Sequence, residues 1–298
     1  MNILIAGITG LIGEKISKSL SKKHTVIGLG RQLEKVKKHC DIALTWNDSL
    51  EDKIKEHNIS AIINLCGEDI GQLWLNQSKH KIRNSRVLPT TKIASILKKF
   101  PNIHLINASG IGVYGFIQNA NDQYGIEEFP AQTPKGYNDT GFLCTMGREW
   151  EDCSKNHPNT TYMRLAPVFD YNGGIYRRLT MSCAVGLMTQ FGEGNSPFPW
   201  VSLLDVVNII ELIIDKKITG PINVCSPEIM TLHSIIQTIA SRKNCYTVTV
   251  PSAVVKVLVG QMGNELFLNG TATKPDRLLK KGYNFNHPTF KEFINNTF

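Results

Sequence analysis

Residues 2–13 read NILIAGITGLIG, and this short stretch decides the fold. Its first five residues are mostly apolar and include branched side chains, which favours a buried β-strand. Three glycines follow at Gly7, Gly10 and Gly13, and the residues Leu11–Lys23 place apolar side chains four apart on one helical face. A strand, a glycine-rich turn and an amphipathic helix are therefore predicted in immediate succession.

The alternation of apolar runs and amphipathic stretches continues through the first two-thirds of the chain. The strand candidates are Asn2–Ala6, Thr25–Leu29, Asp41–Thr45, Ala61–Leu65, Ile103–Ala108, Thr161–Leu165 and Ile222–Cys225. The further helix candidates are Lys79–Lys99, Leu203–Lys217, Leu232–Lys243 and Ser252–Leu258. This order is typical of an α/β fold with a doubly wound parallel sheet. We expect 1–168 to form that domain, with 200–225 returning to it, and 169–298 to form mainly a small C-terminal α/β substrate-binding domain.

The glycine spacing has a physical use at the start of a helix. The first glycine permits a tight turn, the second lets the backbone approach a pyrophosphate, and the third lets helix and strand lie close together. Helix N-terminal amides then supply hydrogen-bond donors for an anion. The predicted ligands in this turn are Gly7, Thr9, Gly10, Leu11, Ile12 and Gly13. The alternative is a tight turn that happens to contain glycines.

The end of the second predicted strand bears on which dinucleotide would bind. An NAD-specific site carries Asp or Glu there for the ribose 2′-hydroxyl. This chain has Gly30 and Arg31 instead, and its next acid is Glu34. A guanidinium matches phosphate geometry, so the sequence predicts NADP(H) rather than NAD(H), with Gly30 and Arg31 in the site. A solvent-facing loop arginine is the other interpretation.

The end of the fourth predicted strand supplies a second part of the same site. Leu65, Cys66 and Gly67 follow the apolar run that begins at Ile62. A small residue and a glycine would let the backbone approach the adenosine ribose and the pyrophosphate. Leu65 and Cys66 could equally be core residues.

Several motifs together resemble the extended short-chain dehydrogenase/reductases, and more narrowly their atypical "epimerase family protein" branch. They are the glycine loop, Asn64–Glu68 with Trp74 and Lys81–Val87, Ala108–Gly115, Arg148–Glu151, Asn172–Gly174, Pro199–Asp205, Gly220–Val224 and Lys274–Tyr283. The resemblance covers nearly the whole chain. It implies a Rossmann-type sheet with a small C-terminal substrate domain and a bound NADP. It also implies a cofactor contact from the helix after the fourth strand, where we favour Arg86 over Lys81.

The proton-transfer pair of that family is missing here. The family pattern is Y-x-x-x-K on one helix, in which the ammonium lowers the pKa of the phenol. No tyrosine of this chain is followed four residues later by lysine, and alignment puts Leu143 and Gly147 at the two places. Ser109 matches the family's hydroxyl position, and Tyr114 is the plausible local proton donor. Both are the predicted catalytic residues, although strand capping and loop packing are the alternatives.

These features predict an NADP(H)-dependent oxidoreductase or epimerase-like protein acting on a small substrate. The competing hypothesis is a catalytically silent NADP(H)-binding redox sensor or regulatory protein. The excess of 33 basic over 25 acidic residues, a charge of +8, raises nucleic-acid binding as a third hypothesis, but the lysines are spread along helix faces. We therefore expect no nucleic-acid partner.

The remaining expectations concern location and partners. The apolar runs are interrupted by polar residues, and no leader pattern precedes the first strand, so we expect a cytoplasmic protein with no membrane partner and a possible homodimer. The seven cysteines and eight histidines show no metal-ligand spacing, so no metal site is expected.

Overall fold

The computed structural model describes residues 1–116, 124–128, 130–132 and 140–296. Its strands, in chain order, are β1 Asn2–Ala6, β2 Thr25–Gly30, β3 Ile42–Thr45, β4 Ile59–Asn64, β5 His104–Gly110, β6 Thr160–Leu165, β7 Val168–Asp170, β8 Leu187–Phe191, β9 Val201–Ser202, β10 Gly220–Val224 and β11 Tyr246–Val250. Its α-helices are α1 Leu11–Leu20, α2 Leu33–Val36, α3 Leu50–Glu56, α4 Asn76–Leu97, α5 Phe142–Asp152, α6 Gly174–Leu179, α7 Leu203–Lys216, α8 Leu232–Lys243, α9 Ser252–Gly263, α10 Asp276–Lys280 and α11 Phe290–Asn295.

Seven strands form the central sheet in the order β10-β6-β5-β4-β1-β2-β3. All the pairings in this sheet are parallel. From β1 the chain adds β2 and β3 on one side. It then returns to add β4, β5, β6 and β10 on the other side, which is the doubly wound arrangement. The predicted fold class, a Rossmann-type α/β sheet, is confirmed.

The alternation of side chains along β1 shows why helices cover both faces of the sheet. Ile3 and Ile5 lie in one core with residues of α1 and α7, whereas Leu4 and Ala6 lie in a second core with residues of α3 and α4. Successive side chains of a strand point to opposite faces, so an apolar strand such as β1 needs a helical layer on each side.

A third core lies outside the sheet, in the C-terminal part of the chain. Phe169, Trp200, Phe290 and Phe293 form its centre, with edge-on ring contacts between centroids 5.0–6.2 Å apart. Such edge-to-face contacts are the favoured aromatic geometry. Trp200, which the sequence singled out as part of a motif, is fully buried there.

The predicted strands of the central sheet all occur, with ends shifted by at most two residues. The short strands β7, β8, β9 and β11 are additions that the sequence pattern did not predict. β8 and β11 form a separate two-stranded parallel sheet. Within the described residues, no helix is both long and apolar enough to cross a bilayer.

Candidate functional site

The glycine turn after β1 has no room for side chains at two of its three glycines. Gly7 has φ +81°, and a Cβ there would lie 2.8 Å from the carbonyl oxygen of Leu65. A Cβ on Gly13 would lie 2.4 Å from the carbonyl oxygen of Gly7. These contacts bring the start of α1 directly onto the ends of β1 and β4, so the turn requires glycine for packing.

The start of α1 is partly exposed. Gly10 is the exposed N-cap residue, in extended conformation, and within the described part of the chain no side-chain hydrogen bond caps the helix. The Glu14 amide donates to the Gly10 carbonyl oxygen at 2.9 Å, so the amides of 11–13 precede the first intrahelical bond. Amides in this position, at the positive end of a helix dipole, suit a pyrophosphate.

A turn from the C-terminal half closes against this helix start. A Cβ on Gly173 would lie 2.9 Å from Leu11 Cδ1, and Gly174, at φ +62°, also approaches the Leu11 side chain. The backbone amide of Leu11 therefore lies at the helix start, while its side chain contacts the 173–174 turn. Glycine at both turn positions permits the approach.

Arg31 lies at the end of β2 with its side chain exposed. Leu29 of β2 and Asn64 of β4 both lie opposite Ala6 of β1, so Arg31 and Cys66 follow their strands at the same edge of the sheet. Burial raises the pKa of the Cys66 thiol to about 12, against the opposing effect of the Arg31 charge. Glu34 is engaged by Lys37 at 2.7 Å. An exposed cation and a half-buried, neutral thiol thus follow the two strands that flank β1, and Lys37 pairs with the nearest acid in sequence, Glu34.

Arg86 projects from α4 to the loop after β4. A Cβ on Gly67 would lie 3.1 Å from the Arg86 Cζ, so the guanidinium rests against the loop backbone. Arg86 Nη1 donates to the Ile82 carbonyl oxygen at 2.9 Å, and the Arg86 Cζ lies 5.3 Å from the centroid of the Trp150 ring. Burial lowers the pKa of Arg86 to about 10. Lys81, on the same helix, is exposed.

Buried side-chain amides join the end of β4 to the middle of β5, and the sequence did not predict them. Asn64 Nδ2 donates to Thr90 Oγ1 at 2.9 Å and to Asn107 Oδ1 at 2.7 Å. Trp150 Nε1 donates to the same Thr90 hydroxyl at 2.9 Å. The Cys66 amide donates to Asn64 Oδ1 at 3.3 Å, so this network also holds the loop that would face the adenosine. An asparagine in each of two otherwise apolar strands is the signal that could have found them.

The two predicted catalytic hydroxyls belong to one buried network of charged and polar groups. Ser109 Oγ donates to Glu151 Oε1 at 2.7 Å. Both Glu151 oxygens accept from Arg164, from Nε at 2.8 Å and from Nη2 at 2.7 Å. Arg164 Nη1 donates to the Tyr114 hydroxyl, which donates to Asn223 Oδ1, both at 2.8 Å.

Both predicted catalytic hydroxyls are buried. Ser109 is 3% exposed and Tyr114 is 0% exposed. Burial raises the pKa of Tyr114 well above its usual range, against the opposing effect of Arg164, so the phenol keeps its proton at neutral pH. The catalytic roles of Ser109 and Tyr114 stay predictions, while the contacts show both residues bridging strands and helices.

Arg164 is a buried arginine, and its position could not be read from the sequence. A lone arginine normally lies at the surface, yet the Arg164 side chain is 0% exposed and pairs with Glu151, which is 2% exposed. Burial acts to lower the pKa of Arg164, but the Glu151 hydrogen bonds and charge outweigh it and raise that pKa above the ordinary value. Arg178, by contrast, forms a half-exposed ion pair with Asp69.

Helix α5 carries the positions of the missing proton-transfer pair, and close packing fills one of them. A Cβ on Gly147 would lie 2.7 Å from Val113 Cγ1. At the other position, Leu143 approaches Gly112, whose added Cβ would lie 3.0 Å from Leu143 Cβ. A lysine at 147 would therefore require the helix and the Ile111–Tyr114 turn to move apart.

Glu265 caps the start of α5 from the far end of the chain. Its carboxylate accepts from the amides of Phe142 at 2.8 Å and Leu143 at 2.9 Å. A Cβ on Gly141 would lie 3.0 Å from Glu265 Oε2, so glycine makes room for this cap. The negative charge of Glu265 at the helix N-terminus also interacts favourably with the helix dipole. No local sequence signal pairs 265 with 142, so the sequence could not predict this cap.

Replacing Glu265 by alanine is expected to lower the free energy of unfolding by about 0.5–2 kcal/mol, because two α5 amides lose their acceptor. Urea unfolding measures the change. Glu265→Gln, which keeps one carbonyl acceptor and removes the charge, should lose less. Equal stability of the wild type and Glu265→Ala would show that the cap contributes nothing.

The hydrogen bonds of Asp205 give it a structural role rather than a catalytic one. Its oxygens accept from the Ser202 hydroxyl at 2.7 Å, the Tyr283 hydroxyl at 2.9 Å and the Asn286 amide at 2.8 Å. It is fully buried at the start of α7. The carboxylate therefore ties α7 to the segment before α11, in agreement with the helix N-terminal role that its position in the sequence indicates.

The parallel sheet, the glycine turn at a helix start and the small C-terminal part define an extended short-chain dehydrogenase/reductase. Comparison with known proteins agrees. Residues 3–225 match the model of the NAD dependent epimerase/dehydratase family, and 250–297 match a domain of unknown function, DUF1731. The chain belongs to the NAD-dependent epimerase/dehydratase family.

Similar proteins cover almost the whole chain. An epimerase family protein of Mycobacterium bovis, Mb2239, is 29% identical over 98% of this chain and 96% of its own length. The crystal structure of human epimerase family protein SDR39U1 with NADPH gives a TM-score of 0.83 at 23% identity, covering 99% and 98% of the two chains. UDP-glucuronic acid 4-epimerase from Bacillus cereus, with UDP-glucuronic acid and NAD, gives 0.73 at 15% identity and covers both chains fully. At these identities the two structures show the shared fold.

Proposed function

We propose that this chain binds NADP(H) and acts as an oxidoreductase or epimerase-like enzyme on a small substrate. The observation that carries the proposal is Arg31, exposed at the end of β2 while Glu34 is engaged by Lys37. A 2′-phosphate would meet a guanidinium there and no free carboxylate. The NADPH in the human SDR39U1 structure supports this choice, and the NAD in the Bacillus cereus epimerase shows that the fold also serves the other dinucleotide.

The remaining cofactor contacts follow from the geometry of the glycine turn. The amides of Leu11, Ile12 and Gly13 would receive the pyrophosphate, and Thr9 and Gly10 are exposed beside them. Leu65, Cys66 and Gly67 would face the adenosine side, with Arg86 behind Gly67. When bound, NADP(H) supplies hydride transfer, while the protein supplies position and charge.

The proton-transfer step rests on fewer residues than in the family pattern. The Ser109 hydroxyl donates a hydrogen bond to Glu151, so the lone pairs of its oxygen could accept a hydrogen bond from a substrate hydroxyl. Tyr114 would need to leave its bonds to Arg164 and Asn223 before it could donate. The rates of Ser109→Ala and Tyr114→Phe test these assignments, and undiminished turnover in both would remove them.

The second candidate is a catalytically silent NADP(H)-binding sensor or regulator. The packing of Gly147 on Val113 favours it, because the place of the catalytic lysine is filled by contact between helix and turn. Oxidation of bound NADPH by a panel of carbonyl compounds separates the two functions. Oxidation dependent on one compound supports the enzyme, whereas binding without oxidation by any compound supports the sensor.

Substituting Arg31 by aspartate is expected to shift the ratio of NADPH to NADH affinity by roughly 10- to 100-fold towards NADH, because a charge-assisted contact with the 2′-phosphate becomes a repulsion. Calorimetric titration with both dinucleotides measures the ratio. Lys38→Asp makes the same charge change at a nearby exposed lysine and should leave the ratio within about twofold. An unchanged ratio in Arg31→Asp would exclude the proposed role of Arg31.

A further inference from the structure

Two of the seven free cysteines, Cys183 and Cys245, lie side by side in the C-terminal part of the chain. Cys183 belongs to a short 3-10 helix, Met181–Val185, that leads into β8, and Cys245 is the residue before β11. Cys245 Sγ lies 3.9 Å from the Cys183 carbonyl oxygen, and the two side chains share a hydrogen bond. Residues 62 positions apart in sequence are therefore in contact.

Backbone hydrogen bonds hold the two cysteines together. The Tyr246 amide donates to the Gly186 carbonyl oxygen at 2.9 Å, and the Gly186 amide donates to the Cys183 carbonyl oxygen at 3.0 Å. Tyr246 is also the β11 partner of Leu187, the first residue of β8. A disulfide forms without backbone movement only where the two cysteines are already held near one another. The pairing of β8 with β11 meets that condition.

The surroundings of the two thiols are partly exposed and cationic. Both cysteines are half-buried at the edge of the aromatic core. Neither 171–192 nor 229–264 contains an aspartate or glutamate, whereas Arg242 and Lys243 precede Cys245 and are exposed. Cations beside a partly exposed cysteine favour the thiolate, which is the form that attacks a disulfide.

The two thiols differ in how readily they lose a proton. Burial, followed by the hydrogen bond and charge of Cys245, raises the pKa of Cys183 to about 11, against the opposing charge of Lys243. Cys183 therefore keeps its proton at neutral pH, which leaves Cys245 to react first. Once the Cys245 sulfur is bonded to another sulfur, it carries no charge, so Cys183 then ionises more easily.

We propose that Cys183 and Cys245 form a reversible disulfide, with a small disulfide such as glutathione disulfide as the oxidant. The Cys245 thiolate attacks one sulfur of the oxidant, which forms a mixed disulfide and releases one glutathione. The Cys183 sulfur then attacks the Cys245 sulfur and expels the second glutathione. The two thiol protons pass to the two glutathiones, so the cysteine pair is oxidised and the glutathione disulfide is reduced.

The test is mass spectrometry of the full chain after incubation with glutathione disulfide, alkylation of the remaining thiols and digestion without reduction. The wild type is expected to give a peptide pair linked through Cys183 and Cys245, which dithiothreitol separates. The oxidised protein should also melt at a higher temperature than the reduced protein, because the bond closes a long loop. Cys153→Ser removes another half-buried cysteine, at the end of α5, and is the matched control that should form the same link.

Single variants test the order of the two steps. Cys183→Ser should stop at the mixed disulfide on Cys245, whereas Cys245→Ser should take up glutathione at Cys183 at least about tenfold more slowly. Thermal melting verifies that both variants fold, and the wild-type peptide map decides the proposal if either does not. The proposal would be overturned by a wild type that lacks the linked peptide, by glutathione retained on both cysteines of the wild type, or by equal uptake in the two variants.

Discussion

Arg164→Met is expected to lower the free energy of unfolding by about 3–5 kcal/mol, because it breaks a buried ion pair from one side only. Among the residues that the structure describes, the substitution leaves the buried Glu151 carboxylate with the Ser109 hydroxyl as its one remaining hydrogen-bond partner. It also removes the donor to the Tyr114 hydroxyl. Denaturant unfolding followed by fluorescence and circular dichroism measures the loss.

Helix α5 itself offers the matched control. Glu149, two residues before Glu151, pairs with Arg83, and the two side chains are 37% and 39% exposed. Arg83→Met should therefore cost less than about 1 kcal/mol. The double variant Glu151→Leu/Arg164→Met should recover part of the loss, because neither charge is then left unpaired. Equal losses in Arg83→Met and Arg164→Met would contradict the stabilising role of the buried pair.

Gly13→Ala is expected to weaken dinucleotide binding by roughly 10- to 100-fold and also to destabilise the protein by about 1–3 kcal/mol. The added Cβ would lie 2.4 Å from the Gly7 carbonyl oxygen, so α1 must move away from the turn. Its N-terminal amides then leave the place where a pyrophosphate would meet them. Titration with NADPH and thermal unfolding measure the two effects.

Gly10→Ala separates packing from binding within the same turn. Of the atoms in the described residues, its Cβ would approach the Gly7 carbonyl oxygen alone, at 3.4 Å. Stability should therefore change by less than about 1 kcal/mol, while NADPH affinity falls about tenfold, because the methyl group would occupy the backbone approach to the pyrophosphate. If Gly10→Ala bound NADPH like the wild type, the helix start would not be the phosphate site.

The features that the sequence predicts well are local ones. β1, the glycine turn and α1 follow one another within Asn2–Leu20, so their periodicity and spacing are sufficient. Helix α8 occurs with its predicted ends, since Thr231 caps it and its apolar positions repeat regularly. The place of Arg31 directly after a strand is local as well, since β2 ends at Gly30, whereas its role towards a cofactor stays a prediction.

The features that escaped the sequence depend on contacts between distant segments. An isolated arginine such as Arg164 normally lies at the surface, and nothing near it in sequence shows that Glu151 meets it in the core. The Glu265 cap joins residues 123 positions apart. The strand β11, in contrast, had a usable signal: Tyr246–Val250 alternates aromatic or valine residues with threonines.

Asn223, the acceptor for the Tyr114 hydroxyl, also bears on the order of events during synthesis. It lies on β10, which pairs beside β6 at the sheet edge. A ribosome that has released the chain only through β6 leaves that edge open and the tyrosine hydroxyl without its acceptor. The sheet can thus begin to assemble early, with the Glu151–Arg164 pair already present, whereas the Tyr114 hydroxyl gains its acceptor only after β10 has emerged.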